Sequence, residues 1–401
     1  MSLQETARGG EIERTVRALQ AGTGVVLLHS TEPQEAIDLA MLALNRLPED
    51  HAVGIVDVTR CQDDLAFGRA FAFSVASTYI GDIANEAFLT GQWRLQRDAE
   101  LLTLAELTSP RFYAALTEDD DTLADPRELF ELSVDAFTRR AADGPTVLAL
   151  FGAEELAATP TRRSRFGVAH ELLWTLRGRL QQSIGSEYVL FAGGDRTSDL
   201  ITSEDAAFYG WGTEVAIEKL PFDLLRRHLE AALLENPGRL ELWEPFEVRA
   251  LAMNFAGECD GSALLAQQLL DVLPAVALKR PQPHRVQEFG LASRTISLLL
   301  GLNAERLRAQ TRLVKGLATN ALRIAVALAN DERPYSVVQH PSEAARALRA
   351  MVDAGIVVRR DEARWSLCDP LFAMWLKQPQ AGRLRLDHQD AEPIPRWALT
   401  S

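Results

Sequence analysis

VVLLHSTEPQEAID, residues 25–38, is an apolar β-branched run that breaks into a short polar turn and then opens an amphipathic helix. Strand, turn and helix in that order is the frame in which a phosphate-binding loop follows the first strand of a nucleotide-binding domain. Such a loop reads G-x-x-x-x-G-K-[ST]: the glycines let backbone amides curl around phosphates, the lysine neutralises charge and the hydroxyl holds magnesium. Here those four places fall on His29, Gln34, Glu35 and Ala36. The frame is present without its chemistry, with Ser30 and Thr31 as the remaining hydroxyls of the turn.

The rest of the chain decides whether the frame means anything. Helical spacing over Glu11 to Gln20 precedes it, and Leu39, Leu42, Ala43 and Leu47 carry the following helix toward Pro48. AVGIVDV, Ala52 to Val58, reads as a buried parallel strand. Helical signal fills Asp64 to Leu116, and the acidic run Glu118 to Asp121 reads as a solvated loop, because it lacks the alternating ligands and turn glycine of a metal site. A helix from Pro126 to Ala142, capped by Asp125, leads into TVLALF, Thr146 to Phe151. A helix from Val168 to Gln182 and the strands Tyr188 to Gly194 and Thr213 to Leu220 complete the pattern. Five strands separated by helices predict a parallel sheet covered on both faces, a three-layer α/β domain over residues 1–220.

After Pro221 the strand signal stops. Residues 221–285 read as a helical unit and linker, with helices Phe222 to Leu234, Pro245 to Phe255 and Ala263 to Leu273 and a linker near Lys279 to Arg285. Residues 286–316 form a basic helical connector carrying Arg294, Arg306, Arg308, Arg312 and Lys315. Residues 317–378 read as helix (Ala321 to Ala329), short segment (Tyr335 to Gln339), helix (Ser342 to Ala354, with Ser342 as cap and Gly355 as stop) and the hairpin IVVRRDEARWSL, which is a winged helix-turn-helix. Residues 379–401 form a polar tail.

The order of these parts resembles the bacterial and archaeal AAA+ and STAND-type P-loop ATPases related to replication-origin initiators, over nearly the whole chain. GIVDV, residues 54–58, resembles their second strand; FAGECDGSALLAQQLLDVL, residues 255–273, their lid helix; and CDPLFAMWLK, residues 368–377, the end of their winged helix. The resemblance implies a Walker B strand ending in aspartate and then glutamate, which hold magnesium and polarise water. TVLALFGAEEL offers Phe151 and Gly152 there, with Glu154 and Glu155 displaced toward the C-terminus. At the end of the sensor strand, Ala192-Gly193-Gly194-Asp195 stands where a small polar residue is common. Hydrolysis of ATP by the usual route is therefore not expected, no residue is assigned a catalytic role, and no cofactor is expected. The helix opening near Gln34 offers amides and a positive dipole end to an anion, but Glu32 and Glu35 oppose one. An atypical ATP- or ADP-binding regulator is the alternative.

Composition sets outer bounds. With 42 Lys and Arg against 56 Asp and Glu, the net charge of -14 excludes a protein whose whole surface embraces nucleic acid, while leaving room for a local basic patch. No run approaches the roughly 18 apolar residues that span a bilayer, and the start MSLQETARGGEIERT has no signal-peptide core. A cytoplasmic protein without membrane contact is expected. Cys61, Cys259 and Cys368 form no C-x-x-C pair, so neither a disulfide framework nor a zinc site is read. His170-Glu171-Leu172-Leu173-Trp174 lacks the second histidine of H-E-x-x-H, and no G-x-S-x-G elbow occurs. Thr161 to Arg165 reads as a basic surface loop.

The functional expectation falls on the C-terminal module. A winged helix would place Ser342, Arg346 and Arg349 in a DNA groove and Arg359, Arg360 and Arg364 of the wing on the backbone, with Arg306, Arg308, Arg312 and Lys315 adding phosphate contacts. Glu343, Asp353, Asp361 and Glu362 nearly balance that charge, so DNA and a protein partner fit equally. A pure scaffold and a homo-oligomer are the further alternatives.

Overall fold

The computed structural model describes residues 2–21, 24–80, 104, 106–117, 125–157, 166, 169–182, 187–235, 245–277, 288–361 and 364–378. The chain divides into two compact units, residues 8–218 and residues 1–7 with 219–401.

The first unit is built on five parallel strands: β1 (Val25–Ser30), β2 (Ala52–Asp57), β3 (Thr146–Phe151), β4 (Glu187–Gly194) and β5 (Thr213–Ile217). Their order across the sheet is β2-β3-β4-β1-β5. β1 lies between β4, with Val25 beside Val189 and Ser30 beside Gly194, and β5, with Leu28 beside Val215. Side chains alternate between the two faces, because successive Cβ atoms of a strand point to opposite sides. Val25, Leu27, Leu148, Leu150, Val189 and Phe191 pack with Phe67, Phe71, Phe130 and Phe137. Those aromatics belong to α4 (Asp64–Ile80) and α6 (Pro126–Asp143). Val26, Leu28, Val147, Ala149, Leu190 and Ala192 pack with Ile12 and Leu19 of α2 (Gly9–Gln20) and Leu39 of α3 (Pro33–Leu44). Two separate cores on one sheet make the three layers. α5 (Pro110–Thr117), the short α7 (Glu154–Ala157), α8 (Ala169–Leu180) and α9 (Asp199–Thr202) complete the unit.

The second unit starts with α1 (Leu3–Ala7), whose Leu3 N–H donates to Gln267 Oε1 at 2.7 Å. It continues through α10 (Phe222–Leu234), α11 (Pro245–Cys259), α12 (Ala263–Ala277), α13 (Glu288–Leu302), α14 (Ala304–Leu317), α15 (Ala321–Ala329) and α16 (Pro341–Asp353). The antiparallel pair β6 (Val357–Asp361) and β7 (Arg364–Leu367) and then α17 (Pro370–Lys377) follow. One core joins them, from Leu225 and Phe255 to Ile324, Leu348 and Phe372. No described helix is long and apolar enough to cross a membrane.

Several boundaries differ from the sequence reading for identifiable reasons. β1 runs on to Ser30, and α3 stops at Leu44, where Asn45, Arg46 and Leu47 form turns ahead of Pro48. β5 ends at Ile217, because Leu220 leaves the sheet and its N–H donates to Gly261 O at 2.9 Å. Ser342 does not cap α16. His340 takes that position, with Pro341 in the first helical place, where its fixed φ suits the turn. The expected segment Tyr335 to Gln339 is a single 3-10 turn, Pro334–Ser336. Asp125 does cap α6, accepting from Arg127 N at 2.9 Å. The acidic run 118–121, the basic loop 161–165, the linker 279–285, the hairpin turn at Glu362 and the tail from 379 lie outside the described residues.

Candidate functional site

In an open parallel sheet, ligands bind beyond the carboxyl ends of the strands where the strand order reverses. That point lies at the ends of β1 and β4. His29 and Ser30 are the last two residues of β1, and α3 opens at Pro33, so only Thr31 and Glu32 form the turn. A phosphate loop needs a longer arc of backbone between strand and helix. The amides of Glu32, Glu35 and Ala36 are engaged. Pro33 has no N–H, Glu32 N donates to Ser30 Oγ at 3.2 Å, and Glu35 N and Ala36 N donate to Glu32 O at 2.9 and 3.4 Å. Exposed Gln34 spends its side chain on Asp38 (2.7 Å), and Ala36 is fully buried.

Glu35, which the sequence reading sets against the phosphate-loop lysine, is 2% exposed and faces Arg8, which is 1% exposed. Arg8 Nε and Nη2 donate to Glu35 Oε1 at 3.0 and 2.9 Å, and Ser30 Oγ donates to Glu35 Oε2 at 3.3 Å. Glu11 stands 3.6 Å from Arg8 Nη1. Burial raises the pKa of the Glu35 carboxyl, and the charge and hydrogen bonds of Arg8 offset part of that rise. Pairing the Glu35 carboxylate with the Arg8 guanidinium leaves neither group as an isolated buried charge. A carboxylate held in this way, with the carboxyl of Glu32 also buried, does not fit the phosphates of a nucleotide.

The neighbouring strand ends carry their own polar contacts. His29 Nε2 lies 2.8 Å from Glu214 Oε1 on β5, and Nδ1 lies 3.4 Å from Asp195 Oδ1 beyond β4. Burial opposes the charged imidazole, but the Asp195 hydrogen bond and the Glu214 and Asp195 carboxylates outweigh it and raise its pKa. At the end of β3, Gly152 adopts φ +70°, and its N–H donates to Ala192 O at 2.8 Å. A Cβ there would overlap the methyl of Thr59. Glu154 opens α7 and accepts the Gly194 N–H at 2.9 Å, and burial raises its pKa. Thr197 Oγ1 is buried nearby with no hydrogen-bond partner among the described residues. Glu155 follows on α7, half-buried. No group of three potential metal ligands occurs among the described residues.

The basic positions expected to contact DNA belong to the second unit. Ser342, Arg346 and Arg349 are exposed on α16. Glu343 is turned aside, its Oε2 accepting from Asn320 Nδ2 at 2.9 Å. Exposed Arg359 lies 5.6 Å above the Trp365 ring, Arg364 is exposed on β7, and Arg360 belongs to β6 by its backbone. On α14, Arg306 pairs with Asp369 at 3.0 Å, Arg308 is half-buried, and Arg312 and Lys315 are exposed. Arg8, Glu214 and Thr197 are the site members that sequence reasoning missed. The contact between Arg8 and Glu35 spans 27 positions, and no local pattern marks it.

No protein-family model matches the chain, and no curated protein is similar to it. Solved structures are. The Walker-type ATPase of Pyrococcus abyssi superposes with a TM-score of 0.57 at 16% identity, covering 92% of this chain and 95% of that one. The ORC2 protein of Aeropyrum pernix, solved with ADPNP and ADP, gives 0.50 at 16% identity, covering 94% and 95%. This likeness is one of fold. The parallel sheet with its helical C-terminal region is a P-loop ATPase fold of the AAA+ kind.

Proposed function

We propose that this protein is an ATPase-derived binding protein that carries out no nucleotide hydrolysis and engages duplex DNA through its C-terminal helix–helix–hairpin module, which we read as a winged helix. The observation that carries the first half is the Arg8–Glu35 pair behind the two-residue turn Thr31-Glu32. It stands where a phosphate loop would need glycines, lysine and a metal-binding hydroxyl. Phe151 and Gly152 in place of Walker B carboxylates point the same way, and an atypical ATP- or ADP-binding regulator is the reading this disfavours.

The DNA half rests on Arg346 and Arg349, exposed on one helix beside the hairpin that carries Arg359 and Arg364. In this arrangement the helix would read the groove and the hairpin would grip the backbone. Fluorescence anisotropy with a labelled duplex tests it. Affinity falling steeply with salt, and falling further in Arg346→Glu and Arg349→Glu, is the expected result. No binding at low salt overturns it. A protein partner is the second reading, and Leu313 and Tyr335, apolar and exposed on the same unit, favour it. A cytoplasmic setting goes with both, and mass measurement in solution tests self-association.

A further inference from the structure

Glu35 is held as a bound anion would be. Its carboxylate meets a guanidinium edge through Arg8 Nε and Nη2 (3.0 and 2.9 Å) and a hydroxyl from Ser30 (3.3 Å). The two donor residues lie on different segments, Arg8 immediately before α2 and Ser30 at the end of β1. Arg8 and Ser30 are both 1% exposed, so the guanidinium has exchanged water for the carboxylates of Glu35 and, at 3.6 Å, Glu11. A buried Arg with two N–H groups aimed at one carboxylate oxygen and a buried hydroxyl on the other are the components of an oxyanion site.

We infer that Arg8 and Ser30 form a small-oxyanion cradle that the protein fills with its own Glu35 carboxylate, a tethered group in the anion position of the lost phosphate loop. This rests on the reading of the β1–α3 turn as a lost phosphate loop. It goes further by assigning the cradle a ligand class, a carboxylate or another oxyanion of similar size, and by assigning Glu35 the part of a tethered ligand. The competing description is that Arg8 and Glu35 are an ordinary buried ion pair with no room for anything else.

Glu35→Ala separates the two, because it removes a fragment the size of acetate and leaves Arg8 and Ser30 in place. Thermal unfolding is followed for wild type, Glu35→Ala and the double variant Arg8→Met/Glu35→Leu, in sodium acetate and in sodium chloride of equal ionic strength, with inorganic phosphate as a larger probe. The cradle predicts that acetate raises the Glu35→Ala midpoint over the chloride control, by roughly 3–6 °C per tenfold rise in concentration once the site is filling, and moves neither of the other two proteins. Equal responses in all three, or no response in a folded Glu35→Ala, overturn it. If Glu35→Ala does not accumulate folded, it is refolded from denaturant with and without acetate. Recovery only with acetate supports the cradle, and failure in both, while the double variant folds, counts against it. Nucleotide binding by the wild type would overturn the proposed function and leave this result readable on its own.

Discussion

The Glu154 carboxylate accepts the Gly194 backbone N–H at 2.9 Å, tying the residue that opens α7 to the last residue of β4. Burial raises the pKa of that carboxyl above its ordinary 4.5, so folding favours its protonated form. A raised acid contributes stability that is full below the unfolded value and is lost as pH rises through the folded one. Glu154→Gln keeps an oxygen for Gly194 and removes the charge. It is expected to be more stable than wild type near neutral pH, with the difference closing as pH falls below 4.5. Urea midpoints of both proteins across that range are the check, and a variant less stable at every pH would show that the charge is needed.

Gly193 lies against the same carboxylate. A Cβ there would overlap Glu154, sit 2.8 Å from Thr197 Oγ1 and 3.0 Å from Ala153 N. Gly193→Ala is expected to lose about 1–3 kcal/mol by overpacking. Adding Glu154→Ala removes the main obstacle and should return part of the loss, which a double-mutant cycle measures.

His29 stands between Asp195 and Glu214, and its folded pKa is raised above 6.5 despite burial. The imidazolium gains partners on folding, so its contribution is present in full below 6.5 and is lost as pH rises through the folded value. His29→Gln should therefore fall furthest behind wild type in acid-side denaturation and least at about pH 8.5. Imidazole proton shifts in NMR report the folded pKa directly, and a value at or below 6.5 would contradict the contacts described.

Much of the sheet was legible because buried parallel strands are short continuous apolar runs. VVLL, GIVDV, TVLALF and YVLFAGG all fall within observed strands or, for Val58, one residue past the end. Helix ends were less legible. The cap of α16 moved to His340 because Pro341 fits the first helical place, which a search for Ser or Thr overlooks. Short α1 carries too few residues for a periodic signal. At the site, the sequence reading singled out Glu35 by setting it against the lysine place of a phosphate loop. It gave no sign of the contacts made there, because the partner of Glu35 is Arg8, on another element, and the partner of His29 on β5 is Glu214, 185 positions away.

The central claim is that the β1–α3 turn no longer accommodates a nucleotide. Isothermal titration of the purified full chain with ATP and with ADP, in the presence of magnesium, tests it most directly. The account predicts no saturable heat at nucleotide concentrations of about 1 mM, the upper end of ordinary substrate affinities. Saturable binding with a micromolar Kd would contradict it.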